Sequence, residues 1–358
     1  MKKSISKIGL FLIALLFSSS VAFSYDVSKE YHKTYNVDKN YILGLNNMYG
    51  DIIVETNDGN SVSIDVFVEL SSRKQELAKE MLSLINVDFV EDGNKIVVKT
   101  SIKDNNTIWK IRNKSFNIRY IVSMPSWLNL SVVNKYGDTK INRLDGAFNA
   151  DLKYGNLNIS ELTRGNENSV VHIKSSHGSV KIDKANWVYL NVSYSSSVVI
   201  GSAQAIALYS RYSNVTLDTY VNSLVVDSKY DKYSLKDVSN LVIDASYTDF
   251  NIDNISKKFN IDCKYGSVDV NKVSAEFTEL VVDADYTDFE LGIEPNSHYQ
   301  LDANLSYGDL KIDRSMFSNL TYIDSDNKVN ASGEYNAASS KPISIVKLNS
   351  SYGDIDLD

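Results

Sequence analysis

The sequence predicts an all-β chain, a parallel β-helix or closely related β-solenoid of short coils with a small N-terminal capping region that contains one helix. Three observations carry this. One short pattern, an aromatic residue, a small or acidic pair, then two apolar residues spaced by two, recurs through the second half of the 358 residues. Its aromatic markers are Tyr136, Tyr154, His177, Tyr194, Tyr212, Tyr230, Tyr247, Tyr265, Tyr286, Tyr307 and Tyr352, at spacings of 18, 23, 17, 18, 18, 17, 18, 21, 21 and 45 residues. Before each marker lies an alternating stretch, such as Leu241, Ile243 and Ala245 before Tyr247, whose period of two gives one buried face per strand. Abundant Asn, Asp and Ser with 3 prolines supply the polar turns.

One repeat then reads as strand, corner, strand, polar turn. A unit this small cannot bury its apolar face alone, so the repeats must stack in register. Roughly ten coils at about 4.8 Å per strand give a rod on the order of 50 Å long. Glycine in the corner is expected to tolerate positive φ, and Asp, Asn or Ser there to bond their own backbone. Tyr49 opens an isolated early copy.

Residues 1–24 read as a signal peptide. Lys2, Lys3 and Lys7 precede an apolar run from Ile8 to Phe17, shorter than a membrane span, and Ala22-Phe23-Ser24 offers a cleavage site, making Tyr25 the mature N-terminus. Its removal takes away three lysines and no acid, moving the formal charge from −8 to −11. That excludes nucleic acid and anionic lipid as expected partners. No later segment is apolar enough for an integral membrane span, so the protein is expected in the periplasm, on the outer-membrane surface or outside the cell. Cys263 is the only cysteine, which excludes an internal disulfide or thiolate cluster.

Residues 25–130 read as N-terminal strands plus a capping helix from about Arg73 to Ile85. Ser72 with Gln75 suggests a capping box, and Leu77, Met81, Leu84 and Ile85 form its apolar face. Val87 to Val90 and Lys95 to Thr100, joined by Asp92-Gly93-Asn94, read as a hairpin. Residues 131–358 are the repeats, interrupted by a polar excursion at about 315–341, most polar from Asp324 to Lys341. The last coil is expected to be covered by that excursion or paired with another molecule.

Here the residues resemble a known family, the bacterial putative-adhesin domains of Bacteroidetes-type envelopes. The likeness rests on Tyr120-Ile-Val-Ser-Met-Pro125, Leu128-Asn-Leu-Ser-Val, Asn134-Lys-Tyr-Gly-Asp138, Leu144-Asp-Gly146 and Leu152-Lys-Tyr-Gly-Asn156. It implies a β-solenoid at the cell envelope and hands over no set of binding residues. This chain departs from a self-sufficient adhesin in lacking a lipid-bearing cysteine, a C-terminal barrel and a cell-wall sorting sequence, so either a partner anchors it or it stays in the periplasm.

Three groups of side chains stand out. Asp227, Asp244, Asp262 and Asp283 lie three positions before successive markers, with Asn304 following, and point outward. Adjacent carboxylates at about 4.8 Å repel by roughly 1 kcal/mol even in water, so the column needs compensation. Lys229 and Lys264 on the same face are the expected answer, with no cofactor, and weak Ca²⁺ or polyhydroxyl binding is the alternative. Asn142, Ser160, Asp183, Asp218, Asp253, Asn271, Asp313 and Asp358, six after the markers, read as Asx-type turn residues. The marker tyrosines share the parity of the buried positions before them, so they are expected as an internal structural ladder rather than a carbohydrate-stacking strip, with His177 a ladder substitute. Cys263 aligns with Ser228, Ala245 and Ala284, small buried positions.

No catalytic residues are assigned. The expected function is an exported, non-enzymatic structural or interaction protein meeting a surface glycan or an envelope protein. The alternative is a polysaccharide lyase or glycosidase built on a parallel β-helix, which would need a walled groove with an acid pair and a base.

Overall fold

The computed structural model describes residues 25–103, 115–166, 170–339 and 341–357. Residues 1–24, where a signal peptide is expected, and Asp358 lie outside the described residues. Among the described residues the chain is all-β, with one α-helix and a single continuous 24-stranded sheet. Alternation sets the burial: along Asn214–Lys229, Leu224, Val226 and Ser228 point inward while Val225 and Asp227 point out. Parallel pairing repeats this choice strand after strand. Leu224, Leu241, Phe259, Leu280, Val346 and Leu301 form one in-register row, each 0% exposed. Every such side chain contributes about 1.5–3 kcal/mol of burial, and a one-residue slip would turn the whole row outward.

The middle of the sheet is parallel and the antiparallel pairs lie toward its ends. At one end Tyr25–Asn36 pairs with Ser61–Ser72, which pairs in turn with Ser115–Pro125. The expected hairpin is there, Ile85–Asp92 against Lys95–Ile102, with Gly93 at φ +58 in its turn. Ile42–Met48 then pairs parallel with both Lys95–Ile102 and Asn129–Lys135, so the early copy at Tyr49 stands in register with the later repeats.

The helix spans Gln75–Leu84 and packs on Tyr25–Asn36 and Ser61–Ser72, with Ala78 and Met81 buried. The expected capping box does not form. Ser72 is still the last residue of a strand, its hydroxyl accepts from the Lys74 amide at 3.2 Å, and Lys74 is the N-cap without a side-chain bond. No helix among the described residues is long and apolar enough to cross a membrane.

The C-terminal end corrects the expectation for the last coil. Ser344–Ser351 is not an edge strand. It lies between Glu279–Ile293 and Tyr299–Ser306, parallel to both, and Ile355–Leu357 likewise pairs with Phe289–Glu290 and with Leu310–Ile312. The excursion forms an antiparallel hairpin, Phe317–Ser325 with Lys328–Tyr335, and covers the outer edge of Tyr299–Ser306 instead. The chain's last segment therefore returns to fill an interior slot. Burial of Val346, Leu348 and Ile355 explains why the slot is filled rather than left as two open edges.

A clasp holds the connection into that slot. The buried His298 ring binds the Lys341 carbonyl at 2.8 Å through Nδ1 and the Glu334 carboxylate at 2.8 Å through Nε2. Both acceptors need a donating nitrogen, so the imidazolium fits best, and the Glu334 contact followed by the Lys341 carbonyl raises the His298 pKa above its usual 6.5. With a raised folded pKa, the clasp's contribution is complete below the unfolded value of about 6.5 and is lost as pH rises through the folded value. Amide exchange of Ser344–Ser351 is therefore expected to quicken with pH beyond its intrinsic rate, and His298→Gln to abolish that excess. An equal excess in the variant would remove the clasp from the account.

Candidate functional site: the tyrosine stripe and the outward rows

Each marker residue adopts left-handed backbone geometry, with φ between 52° and 63° from Tyr49 through Tyr352. The residue with positive φ is thus the aromatic one, not the glycine after it. That glycine serves close approach: a Cβ on Gly137 would stand 2.0 Å from the Gly50 carbonyl oxygen, and one on Gly155 would stand 1.9 Å from that of Gly137. Coils with Ser195, Ser213, Asp231, Thr248 or Thr287 in that place bury the side chain instead.

The left-handed turn reverses the parity of the strand, and this corrects the expected position of the ladder. The marker rings are not inside the corner but on its outer surface, where the tyrosines from Tyr136 to Tyr352 are 42–57% exposed. There they stack face to face in one column: Tyr49, Tyr136, Tyr154, His177, Tyr194, Tyr212, Tyr230, Tyr247, Tyr265, Tyr286, Tyr352 and Tyr307. Neighbouring centroids are 4.7–5.1 Å apart and interplanar angles are 3–16°. Phe116 closes one end by packing tilted on Tyr49 at 4.7 Å. Tyr352 sits between Tyr286 and Tyr307, following the inserted strand rather than chain order.

Beside the rings runs a row that sequence reasoning read as local turns. The carboxylate or amide oxygen two positions after the marker accepts the equivalent backbone N–H of the next coil: Asp51 from Asp138 at 2.9 Å, Asp138 from Asn156 at 2.8 Å, Asn156 from Ser179 at 2.9 Å. Asp288 from Asp354 at 3.0 Å and Asp354 from Asp309 at 2.8 Å continue it. Aligning the repeats would have shown this row toward both ends, where Asp or Asn recurs two after the marker, while Lys232 interrupts it in the middle.

The acidic column is in register, Asp227 to Asp244 to Asp262 to Asp283, then Asn349 and Asn304. Its compensation is only partly the expected one, since the Lys264 charge acts on Asp262 without a direct ion pair. Lys264 binds Asp285 at 3.2 Å, Lys229 lies 5.4 Å over the Tyr230 ring, and it is Arg211 that pairs with Asp227 at 2.6 Å. Partial burial, then Asp244 and Asp283, push the Asp262 carboxyl above the usual range. The four aspartates lie one per coil, and among the described residues no three His, Cys, Asp or Glu side chains converge as a metal site.

Of the residues six after the markers, Asp313 caps a local turn, accepting from the Ser315 amide at 3.0 Å. Others reach between coils, as Asn271 donates to Asp253 at 3.1 Å and Asn142 accepts from the Thr56 amide at 3.1 Å. Cys263 is buried, and burial pushes its thiol up to about 11, leaving almost no thiolate at neutral pH.

An acidic depression lies next to the row of Asp288, Asp354 and Asp309, near the C-terminal slot. Asp269, Glu290, Asp356 and Lys311 occupy successive strands there. Lys311 is bound to Asp356 at 2.5 Å, and Asp288 and Asp354 are engaged with backbone amides.

No protein-family model and no curated protein matches the chain. Among solved structures it is similar to a "putative adhesin" from Parabacteroides merdae, with 10% identity over 74% of this chain and 92% of that one and a TM-score of 0.29. A "putative adhesin" from Bacteroides fragilis matches at 15% identity over 74% and 96%, with a TM-score of 0.28, and one from Parabacteroides distasonis at 12% over 92% and 97%, with a TM-score of 0.29. At TM-scores this low the overall chain paths do not superpose, and the likeness carries no statement about what this chain does.

Proposed function

We propose that the chain is an exported, non-enzymatic interaction protein of the bacterial cell envelope, an adhesin-like β-solenoid whose tyrosine stripe is the face that meets a surface glycan or an envelope protein. The observation that carries this is the stripe itself. Half-exposed rings at roughly 100 Å² each add to an aromatic surface on the order of 1,000 Å², against the 300–600 Å² of the largest patch on a typical monomer. Left-handed geometry costs a residue other than glycine about 1–2 kcal/mol, yet an aromatic ring holds this position in coil after coil. Solenoid winding is supported by the parallel register and by one marker per repeat. Export is supported by the basic and apolar residues from Lys2 to Phe17.

Ring faces in the column are occupied by neighbouring rings, so a ligand would meet ring edges and phenol hydroxyls. The polysaccharide-active enzyme is the second reading, on the strength of the depression at Asp269, Glu290 and Lys311. It is the weaker one because its base is held by Asp356.

A glycan array read beside a polysaccharide-degradation screen tests the proposal. Wild type is expected to bind at least one glycan class without releasing product, and Tyr212→Ser/Tyr230→Ser/Tyr247→Ser to weaken it by about tenfold or more, equivalent to ~1.4 kcal/mol. Product release, or full retention by the triple variant, would overturn it.

A further inference from the structure

We propose that the outward face around Gly44 is a binding groove for a small amphiphilic anion, an apolar or ring-shaped body carrying a carboxylate, sulfate or sulfonate. Gly44 is a glycine in the middle of a strand, Ile42–Met48, where it costs stability and supplies no side chain. Backbone crowding does not require it. The corner glycines would place a Cβ about 2 Å from a carbonyl oxygen, whereas a Cβ on Gly44 meets nothing nearer than the Val97 side chain at 3.5 Å. A strand glycine that no neighbouring backbone approaches marks room for something else to come close.

The space it opens is a groove of about 640 Å³, within the usual range for small-molecule sites. Its floor follows one in-register row, Val97, Gly44, Ser131, Asn149 and His172, with Val133 and Ile42 beside it. The row ends on aromatic surface, since His172 packs tilted on Tyr189 at 5.2 Å. Asn129 accepts from the Ala147 amide at 2.9 Å and from Arg164 at 3.4 Å, which ties the rim together. Among the described residues Lys95, Arg164 and His172 line the groove and no Asp or Glu does, although the whole chain carries a formal charge of −8. The floor mixes Val97, Val133 and Ile42 with Ser131 and Asn149, and with Lys95, Arg164 and His172 along it this fits an anion that carries an apolar body and disfavours a cation.

Fluorescence titration of the full mature chain with 1-anilinonaphthalene-8-sulfonate, beside the neutral N-phenyl-1-naphthylamine, tests this. The anionic dye is expected to bind more tightly at a single site. Gly44→Leu should weaken both dyes by about tenfold or more by filling the floor, and Lys95→Glu should weaken only the anionic one. Should Gly44→Leu fail to fold, Ser131→Leu fills the same floor from the adjacent strand. Unchanged dye binding in the filled variant would place the dye elsewhere, the tyrosine stripe included, and overturn the groove. Equal affinity for the two dyes, or indifference to Lys95→Glu, would overturn the anion.

Discussion

A chain ending at Tyr335 is expected to lose the order of its whole C-terminal end rather than one coil of it. The deleted segment carries Ser344–Ser351 and Ile355–Leu357, which lie between strands on both sides. Its loss leaves Glu279–Ile293 with a bare edge and separates Tyr299–Ser306 and its covering hairpin from the rest of the sheet. Buried Val346, Leu348, Ile355 and Leu357 account for about 6–12 kcal/mol of burial at ~1.5–3 kcal/mol each, as much as the entire margin of a typical domain. Hydrogen exchange is the measurement. Residues 299–335 should lose protection together while Asn214–Lys229 keeps it, since stability in a stacked array is shared chiefly between neighbours. Protection retained across Tyr299–Ser306 would show that the inserted strand is dispensable.

The second large effect is expected at Asp231, a carboxylate that is 3% exposed in the corner after Tyr230. Its oxygens accept from the Ser213 amide at 2.6 Å, the Lys229 amide at 3.1 Å, and the Ser210 and Ser228 hydroxyls at 2.7 and 2.6 Å. Ser210 also bonds the buried Tyr233 hydroxyl within these two coils, and Ser228 reaches the Thr248 hydroxyl of a third at 3.1 Å. Asp231→Ala removes the acceptor from two backbone N–H groups and two hydroxyls at once. With each buried unsatisfied group costing ~1–3 kcal/mol and partial relaxation, the loss should be about 3–5 kcal/mol in urea unfolding. Asp231→Ser should recover part of it, because Ser213 fills the equivalent corner one coil earlier. A loss under about 1 kcal/mol for the alanine variant would mean that water replaces the carboxylate.

Much of this architecture is legible in the residues because a stacked sheet repeats one local decision. Period-two apolar stretches give the strands and their buried faces, and the recurrence of Tyr gives the coil. What misleads is the corner. Counting parity from Leu241, Ile243 and Ala245 through Tyr247 assumes an extended backbone at the tyrosine, and a φ of 54° there turns the ring outward. No single residue type signals this, since left-handed geometry ordinarily selects glycine or asparagine.

The order of the last coils is equally hidden. Tyr352-Gly-Asp is the same corner as at Tyr49, Tyr136 and Tyr307, so the pattern does not name a slot, and only pairing on both edges selects the place between Tyr286 and Tyr307. The Arg211–Asp227 pair could have been found, because both positions follow from the repeat register. The groove at Gly44 could not, since it depends on which side chains are missing from an outward row.

The account's central claim, that the tyrosine column lies on the outside and is open to a ligand, is tested most directly by nitration with tetranitromethane read by peptide mass spectrometry. Tyr212, Tyr230, Tyr247, Tyr265 and Tyr286 should be modified in the folded protein, while the buried Tyr120, Tyr233 and Tyr299 stay intact until it is unfolded. Protection of the column to the same degree as Tyr120 would return the rings to the interior of the corner and contradict the proposed contact face.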